Sequence, residues 1–150
     1  MRPVYIRNTY SLFLFLVQYS SLLILLLSGQ IIPLQVFLMP PYILGLILGI
    51  WAIITMGSGN LNASPDVLPE GKLITSGPYK LLRHPMYSAI LMVFIPLVIY
   101  NYSLFRVCIL IMLIVNLFLK MTYEEQHLLK KYSTYSSYKL KTWRIIPYVF

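Results

Sequence analysis

Long apolar segments separated by short polar stretches dominate the pattern of this chain. No Asp, Glu, Lys or Arg occurs between Arg7 and Asp66, and a second uncharged run extends from His84 to Phe105. A soluble core would have to face water somewhere in runs of this length, whereas about 20 apolar residues cross the hydrocarbon of a bilayer. The pattern predicts an all-α integral membrane protein with about four transmembrane helices, at about 10–28, 33–56, 86–102 and 103–131.

Local signals refine two of these segments. Pro40 and Pro41 lie inside the second one and predict a kink or a break there. The first segment follows Arg2 and Arg7, as a signal peptide would, but it is long and no small-residue cleavage site follows it. We therefore expect it to be a retained helix.

Composition supports a membrane location. Apolar residues make up 59% of the 150 residues and charged residues 11%, against about 25% charged in a typical soluble domain. The single cysteine, Cys108, lies in an apolar run and excludes a disulfide framework. We predict no metal site. The net charge of +8 could suggest nucleic acid, but the basic residues flank apolar segments, so no nucleic-acid partner is expected.

The basic residues predict the topology. All of the 12 Lys and Arg residues except Arg106 precede the first segment, lie between the second and third, or follow the fourth. With four crossings these regions share one side, which the positive-inside rule makes cytoplasmic. Both termini and the 57–85 loop are therefore expected in the cytoplasm. Arg106, near one end of the fourth segment, is expected to snorkel towards water.

The 57–85 loop is rich in Gly, Pro, Asn and Ser, which favour turns over regular helix. A connection of this length without regular structure is usually functional or disordered. This one also carries apolar residues and joins two membrane segments, so we predict an ordered ligand-binding loop.

One candidate site ends this loop, at residues 75–87. Pro85 suits the first turn of a helix, whose free N–H groups and dipole favour an anion. Arg83 and His84 would strengthen such binding. In the alternative interpretation, Arg83 and His84 merely mark the membrane interface and the flanking tyrosines belong to an aromatic belt.

A second candidate site follows the fourth segment, where Glu124 and Glu125 are adjacent. Lys120 and Glu124 are four residues apart and share a helical face, whereas Glu125 points elsewhere. A carboxylate here can hold an amino group or a pair of hydroxyls. The alternative is a solvated charged helix with a weak ion pair. A helical C-terminal tail is expected to continue the fourth segment.

Together the two sites resemble the isoprenylcysteine carboxyl methyltransferase and phospholipid methyltransferase superfamily, over about residues 57–147. The resemblance rests on a set of motifs in order: Gly77-Pro78-Tyr79, Arg83-His84-Pro85-Met86-Tyr87, Glu124-Glu125, Leu128, Tyr132, Tyr135, Tyr138 and Arg144-Ile145-Ile146-Pro147. It implies one membrane methyltransferase domain, spanning 1–150, that uses S-adenosylmethionine without a Rossmann fold.

The resemblance also implies roles for individual residues. The cofactor-binding residues would be Gly71, Lys72, Leu73, Ile74, Tyr79, Arg83, His84, Pro85, Met86, Tyr87 and Glu124. Lys120 falls where carboxyl methyltransferases have an arginine near the acceptor, and lysine cannot give the same bidentate grip on a carboxylate. Lys120 and Glu125 are the predicted catalytic residues, because a thiol or amine acceptor must lose a proton, for which His84, Glu125 or Tyr87 are candidates.

The acceptor stays open at this point. An isoprenylcysteine-like carboxylate, a phospholipid amine and a small thiol are all compatible with a lipophilic substrate that enters from the bilayer. The alternative function is a non-catalytic helical membrane scaffold or accessory subunit that keeps the loop without activity. A transporter is disfavoured because the apolar segments carry no charged residue besides Arg106.

Overall fold

The computed structural model describes residues 5–149, which form helices joined by loops, with no strand in that range. The helices are α1 (Thr9–Leu27), α2 (Met39–Met56), α3 (Pro85–Tyr100), α4 (Leu104–Lys131) and α5 (Tyr135–Leu140), with a 3-10 turn at Gly77–Lys80. By length and composition α1, α2 and α4 can cross a membrane. The apolar α3 has 16 residues, about 24 Å of rise. The all-α membrane fold is confirmed.

Local chemistry explains where the helices begin. The Asn8 side chain accepts a hydrogen bond from the Ser11 N–H at 2.9 Å, and the Ser103 hydroxyl accepts one from the Arg106 N–H at 3.2 Å. Both are side-chain N-caps, which satisfy N–H groups that have no partner within the helix. At α3, Pro85 occupies the first position, where its missing N–H costs nothing.

The prolines of the second segment neither kink nor break its helix. The helix was expected from about residue 33, but α2 begins at Met39, so Pro40 and Pro41 lie in its first turn. N–H groups of the first turn have no acceptor within the helix, so proline is tolerated there. The prolines therefore mark the beginning of α2.

Close packing joins α2 to α3 and α1 to α4. Gly45 of α2 lies so near α3 that an added Cβ would come within 2.8 Å of the Met92 Cβ. Small residues allow this kind of approach between membrane helices. A buried hydrogen bond joins α1 to α4, since the Asn116 Nδ2 donates to the Leu14 carbonyl at 3.1 Å.

The two ends of the bundle differ in character. The 28–30 and 101–106 turns meet at one end, where Arg106 is buried, with 2% of its surface exposed. Its guanidinium donates to the carbonyls of Leu25 and Leu97 at 3.0 and 3.2 Å. The expectation that Arg106 snorkels is therefore wrong, because the carbonyls at the ends of α1 and α3 bind the guanidinium inside the protein. The 57–84 loop and the C-terminal tail lie at the other end.

Candidate active site

The C-terminal tail holds the turn that precedes α3. The N–H groups of Arg83 and His84 donate to the carbonyls of Trp143 and Arg144 at 2.7 and 3.0 Å. The Ser88 hydroxyl donates to the Ile145 carbonyl at 2.7 Å. These bonds join two segments about 60 residues apart and fix the direction in which Arg83 and His84 point.

Glu125 is the centre of a cluster of basic side chains. Its carboxylate is 2% exposed and accepts from the Arg83 Nε at 2.9 Å and the Arg144 Nη2 at 3.1 Å. The His84 Nε2 lies 3.3 Å away and the Lys139 Nζ 3.4 Å away. We call these five residues the Glu125 cluster. Burial of a carboxylate is costly unless charges and donors compensate it, and here they do.

Glu124 has a more open environment. Its side chain is 28% exposed, and its Oε2 accepts from the Tyr87 hydroxyl at 3.1 Å. The His84 Nδ1 is 3.7 Å from the same oxygen, and the His84 ring stacks on Tyr87 with centroids 5.4 Å apart. The imidazole of His84 therefore lies between the two glutamates. Glu124 keeps a surface that a ligand can reach.

Buried tyrosines surround these residues. The hydroxyls of Tyr79 and Tyr135 are buried and have no hydrogen-bond partner within residues 5–149. Burial, reinforced by the charge of Glu124, raises the pKa of Tyr79, and burial reinforced by Glu125 and Glu124 raises that of Tyr135. Burial likewise raises the pKa of Tyr138 to about 12. All three hydroxyls stay protonated at neutral pH and can act as donors.

Lys120 also lies beside Tyr87. It is 1% exposed, and its ammonium donates to the Gln18 Oε1 of α1 and to the Ala63 carbonyl of the loop. The Nζ lies over the Tyr87 ring, 5.7 Å from the centroid. Within the described part of the chain, no carboxylate oxygen lies within 4.0 Å of this ammonium. Its direct hydrogen-bond acceptors are neutral oxygens.

The remaining predicted residues lie along the loop and the first turn of α3. The Gly71 carbonyl accepts from the Tyr132 hydroxyl, and the Lys72 N–H donates to the Asn60 Oδ1 at 2.6 Å. Leu73 lines a cavity of about 440 Å³ with Tyr138. Ile74 is half-buried, and Pro85 and Met86 open α3. The direct contacts thus join Arg83, His84, Tyr87, Glu124 and Glu125.

Sequence reasoning assigned no role to several residues that the structure places at or near the site. Arg144 and Lys139 contact Glu125, and Gln18 and Ala63 contact Lys120. Arg144 could have been singled out, because it is the first residue of the Arg-x-x-Pro motif. Gln18 is a lone amide in an apolar helix and Ala63 contributes only its backbone, so neither could be singled out.

Comparison with known families bears on this arrangement. The family model of phospholipid methyltransferases matches residues 35–135. The chain belongs to the phospholipid methyltransferase family. The match includes all of α2, α3 and α4, and hence His84, Tyr87, Lys120 and both glutamates. Membership makes this protein a membrane methyltransferase. Neither the curated proteins nor the solved structures provide a match.

Proposed function

We propose that this protein transfers a methyl group from S-adenosylmethionine to a lipophilic acceptor at the site around Glu124. One observation carries the proposal. A partly exposed carboxylate, the imidazole of His84 and the hydroxyl of Tyr87 converge in the region where the buried Tyr79 and Tyr135 hydroxyls have no partner among residues 5–149. A buried hydroxyl without a partner is costly, and a ligand with polar atoms would satisfy it.

The residues present fit the functional groups of this cofactor. Glu124 would accept hydrogen bonds from its amino group or its ribose hydroxyls. The Tyr79 and Tyr135 hydroxyls, which are protonated at neutral pH, would donate to its carboxylate or ribose oxygens. The faces of the tyrosine rings favour a cation. When bound, S-adenosylmethionine supplies an activated methyl group, so the protein mainly has to position the reactants and exclude water.

We assign Arg83 and Glu125 a positioning role. The Arg83 guanidinium donates to Glu125 and to the Lys139 and Thr142 carbonyls, and Glu125 contacts four basic side chains. Such a carboxylate is poorly suited to accept a proton from an acceptor. Its effect on the reaction passes through His84, which it orients towards Glu124. Catalysis by Glu125 itself stays a prediction.

Lys120 bears on the class of acceptor. Its buried ammonium lies beside Tyr87 with only neutral oxygens bound to it. A positive charge in a low-dielectric site attracts an anionic acceptor and repels a protonated or methylated amine. The arrangement favours a carboxylate or thiolate. A carboxylate needs no base, whereas a thiol or an amine would have to lose a proton, for which His84 is the candidate base.

The orientation follows from the positive-inside rule. The loop, the segment directly before α1, the second half of α4 and the C-terminal tail lie at the same end of the bundle. In the sequence, 11 of the 12 Lys and Arg residues precede α1, lie in the loop or follow residue 119. We place this end in the cytoplasm, where the cofactor is made available, and the acceptor enters sideways from the bilayer. A cysteine-reactive label attached only from outside the cell to a C-terminal tag would contradict this orientation.

The decisive experiment is calorimetric titration of the detergent-purified protein with S-adenosylmethionine. Wild type should bind saturably. Glu124→Gln and His84→Ala should bind at least about tenfold more weakly, because each loses a buried or charge-assisted contact. Gln126→Ala, at an exposed neighbouring position of α4, is the matched control and should bind as wild type does.

A second assay separates the acceptor classes. Radioactive methyl transfer to prenylcysteine carboxylates, to lipophilic thiols and to phosphatidylethanolamine should be fastest for one of the first two, and Lys120→Met should reduce that preference. Transfer to phosphatidylethanolamine alone would contradict the assigned acceptor class. A folded wild-type protein that does not bind the cofactor would instead support the non-catalytic scaffold.

A further inference from the structure

Gln18 is a buried amide in the middle of α1, a helix whose other side chains are apolar or carry a hydroxyl. Its side chain belongs to the face of α1 that packs inside the protein, and the residue is 4% exposed. The family match begins at residue 35, after α1 has ended, so it does not account for this amide. A buried polar side chain in a membrane helix is costly, and such residues usually mark a helix contact or a functional site.

The Gln18 amide is bonded to Lys120. Its Oε1 accepts a hydrogen bond from the Lys120 Nζ, and no other hydrogen bond of this amide occurs within residues 5–149. An ammonium can only donate, so the oxygen of the amide has to face it. Another buried polar residue of the same helix face, Ser21, is bonded within its own helix, to the Val17 carbonyl at 2.6 Å. Gln18 is therefore the side chain of α1 that holds Lys120.

The contact fixes the ammonium without an ion pair. The second acceptor of the Lys120 Nζ is also a neutral oxygen, the Ala63 carbonyl at 3.1 Å, and the Nζ lies over the Tyr87 ring. Glu124, four residues further along α4, accepts from the Tyr87 hydroxyl instead. A neutral oxygen holds an ammonium and leaves its charge in place, whereas a carboxylate bonded to it would cancel that charge.

We propose that Gln18 is a positioning residue that acts through Lys120 to select an anionic acceptor. Its amide oxygen keeps the ammonium beside Tyr87 and leaves the positive charge available to the acceptor. This inference rests on the proposed function, because it requires the acceptor to bind next to Lys120. An apolar side chain in place of Gln18 would offer the lysine no acceptor, and a carboxylate would pair with it and repel an anion.

Two substitutions test this role. Gln18→Met keeps the length of the side chain without the acceptor, and Gln18→Glu keeps an acceptor but adds a negative charge. Methyl transfer is measured with N-acetyl-S-farnesylcysteine and with dodecanethiol, and the variants are compared on the probe that wild type methylates faster. The KM for that probe should rise about tenfold in Gln18→Met and further in Gln18→Glu. The kcat should stay within about twofold of wild type, because the acceptor carries its charge before the methyl group is transferred.

Asn116→Leu is the matched control. It also removes a buried amide hydrogen bond between α1 and α4, the one from the Asn116 Nδ2 to the Leu14 carbonyl. This variant should unfold at a lower temperature than wild type, as Gln18→Met should, but keep the wild-type KM. Thermal unfolding in detergent shows that each variant is folded under the conditions of the assay. If Gln18→Glu does not fold, the comparison of Gln18→Met with Asn116→Leu decides.

Three results would overturn the role of Gln18. A wild-type KM in either Gln18 variant would show that the acceptor does not depend on this amide. Equal rises in KM for Gln18→Met and Asn116→Leu would show only a loosening of α1 from α4. Methylation of neither probe by a wild-type protein that binds S-adenosylmethionine would remove the anionic acceptor that the role requires.

Failure of the proposed function gives a different result. In that case the folded wild-type protein does not bind S-adenosylmethionine in calorimetric titration. If the proposed function holds, Gln18→Met, Gln18→Glu and Asn116→Leu should all bind S-adenosylmethionine as wild type does, because neither Gln18 nor Asn116 contacts a residue assigned to the cofactor.

Discussion

Two buried carboxylates at the same end of the bundle are compensated in different ways. Glu125 contacts the side chains of Arg83, Arg144 and Lys139, which are positively charged. Asp66 instead accepts from neutral groups: the Arg7 N–H at 2.8 Å, the Ser64 hydroxyl at 2.9 Å and the Tyr123 hydroxyl at 3.1 Å.

The two carboxylates also connect different parts of the molecule. The Glu125 cluster joins the turn before α3, the end of α4 and the C-terminal tail, and so builds the candidate site. The group around Asp66 joins the segment before α1 and the loop to α4, and so holds the site against α1. Removal of a charge surrounded by cations should cost more than removal of a charge surrounded by neutral donors, because the cations lose the carboxylate that attracts them while they still repel one another.

The largest effect is expected for Glu125→Gln. It leaves Arg83 and Arg144 facing a neutral amide, and loss of one partner from a buried charge cluster costs about 3–5 kcal/mol. The free energy of unfolding in mixed detergent should fall by about that amount. Glu124→Gln, one residue earlier and partly exposed, should change stability by less than about 1 kcal/mol. Equal losses for the two variants would contradict the distinction between the glutamates.

Asp66→Asn should have the next largest effect. The substitution keeps the shape of the side chain but replaces one acceptor oxygen by an NH2 group that faces other donors. The free energy of unfolding should fall by about 1–3 kcal/mol. Burial alone would raise the pKa of Asp66, but the hydrogen bonds from Arg7, Ser11, Ser64 and Tyr123 lower it below its usual value. The carboxylate therefore contributes stability above its unfolded pKa of about 3.9, and this contribution is lost as the pH falls through the lower folded pKa.

The pH dependence provides the check. The stability difference between wild type and Asp66→Asn should be full at pH 7 and shrink below about pH 4. A difference that is constant from pH 7 to pH 3 would show that ionisation of Asp66 contributes nothing.

Tyr123→Phe should be milder. It removes one of the donors to Asp66 and the acceptor of the Asn8 amide, which is 3.0 Å away, and so costs about 1 kcal/mol. Tyr10 packs against the same ring in a tilted arrangement, with centroids 5.5 Å apart, and is 44% exposed. Tyr10→Phe is the matched control, with no expected change in the unfolding midpoint. If both variants behave alike, the hydroxyl of Tyr123 has no special role.

The smallest stability effect is expected for Lys139→Gln, although Lys139 belongs to the Glu125 cluster. Its ammonium is half-exposed, and such ion pairs contribute about 0–1 kcal/mol. The unfolding midpoint should hardly move, which thermal unfolding in detergent would show. A large loss of stability would place Lys139 among the structural members of the cluster.

Much of the fold was predictable because its signals are local. The segment predicted at 103–131 is α4, Leu104–Lys131, whose uncharged run and N-capping serine are both visible in the sequence. The kink or break predicted at the prolines of α2 was wrong, because a pair of prolines occurs both at the beginning of a helix and at a kink. Only the position of the first turn, fixed by the preceding residues, distinguishes the two.

The residues that the structure brings together around Glu124 and Glu125 could be singled out from the sequence, but most of their contacts could not. Their roles in the reaction stay predictions. The sequence by itself determined that the chain is a helical membrane protein, and its ordered motifs pointed to the methyltransferase family. Hydropathy and helix caps act within one or two turns, so they can be read along the chain. Only the tertiary structure decided that Glu125 is enclosed by basic side chains while its neighbour Glu124 stays open, and that Lys120 points to α1. These contacts join residues 19 to 102 positions apart, and their geometry depends on how whole helices pack.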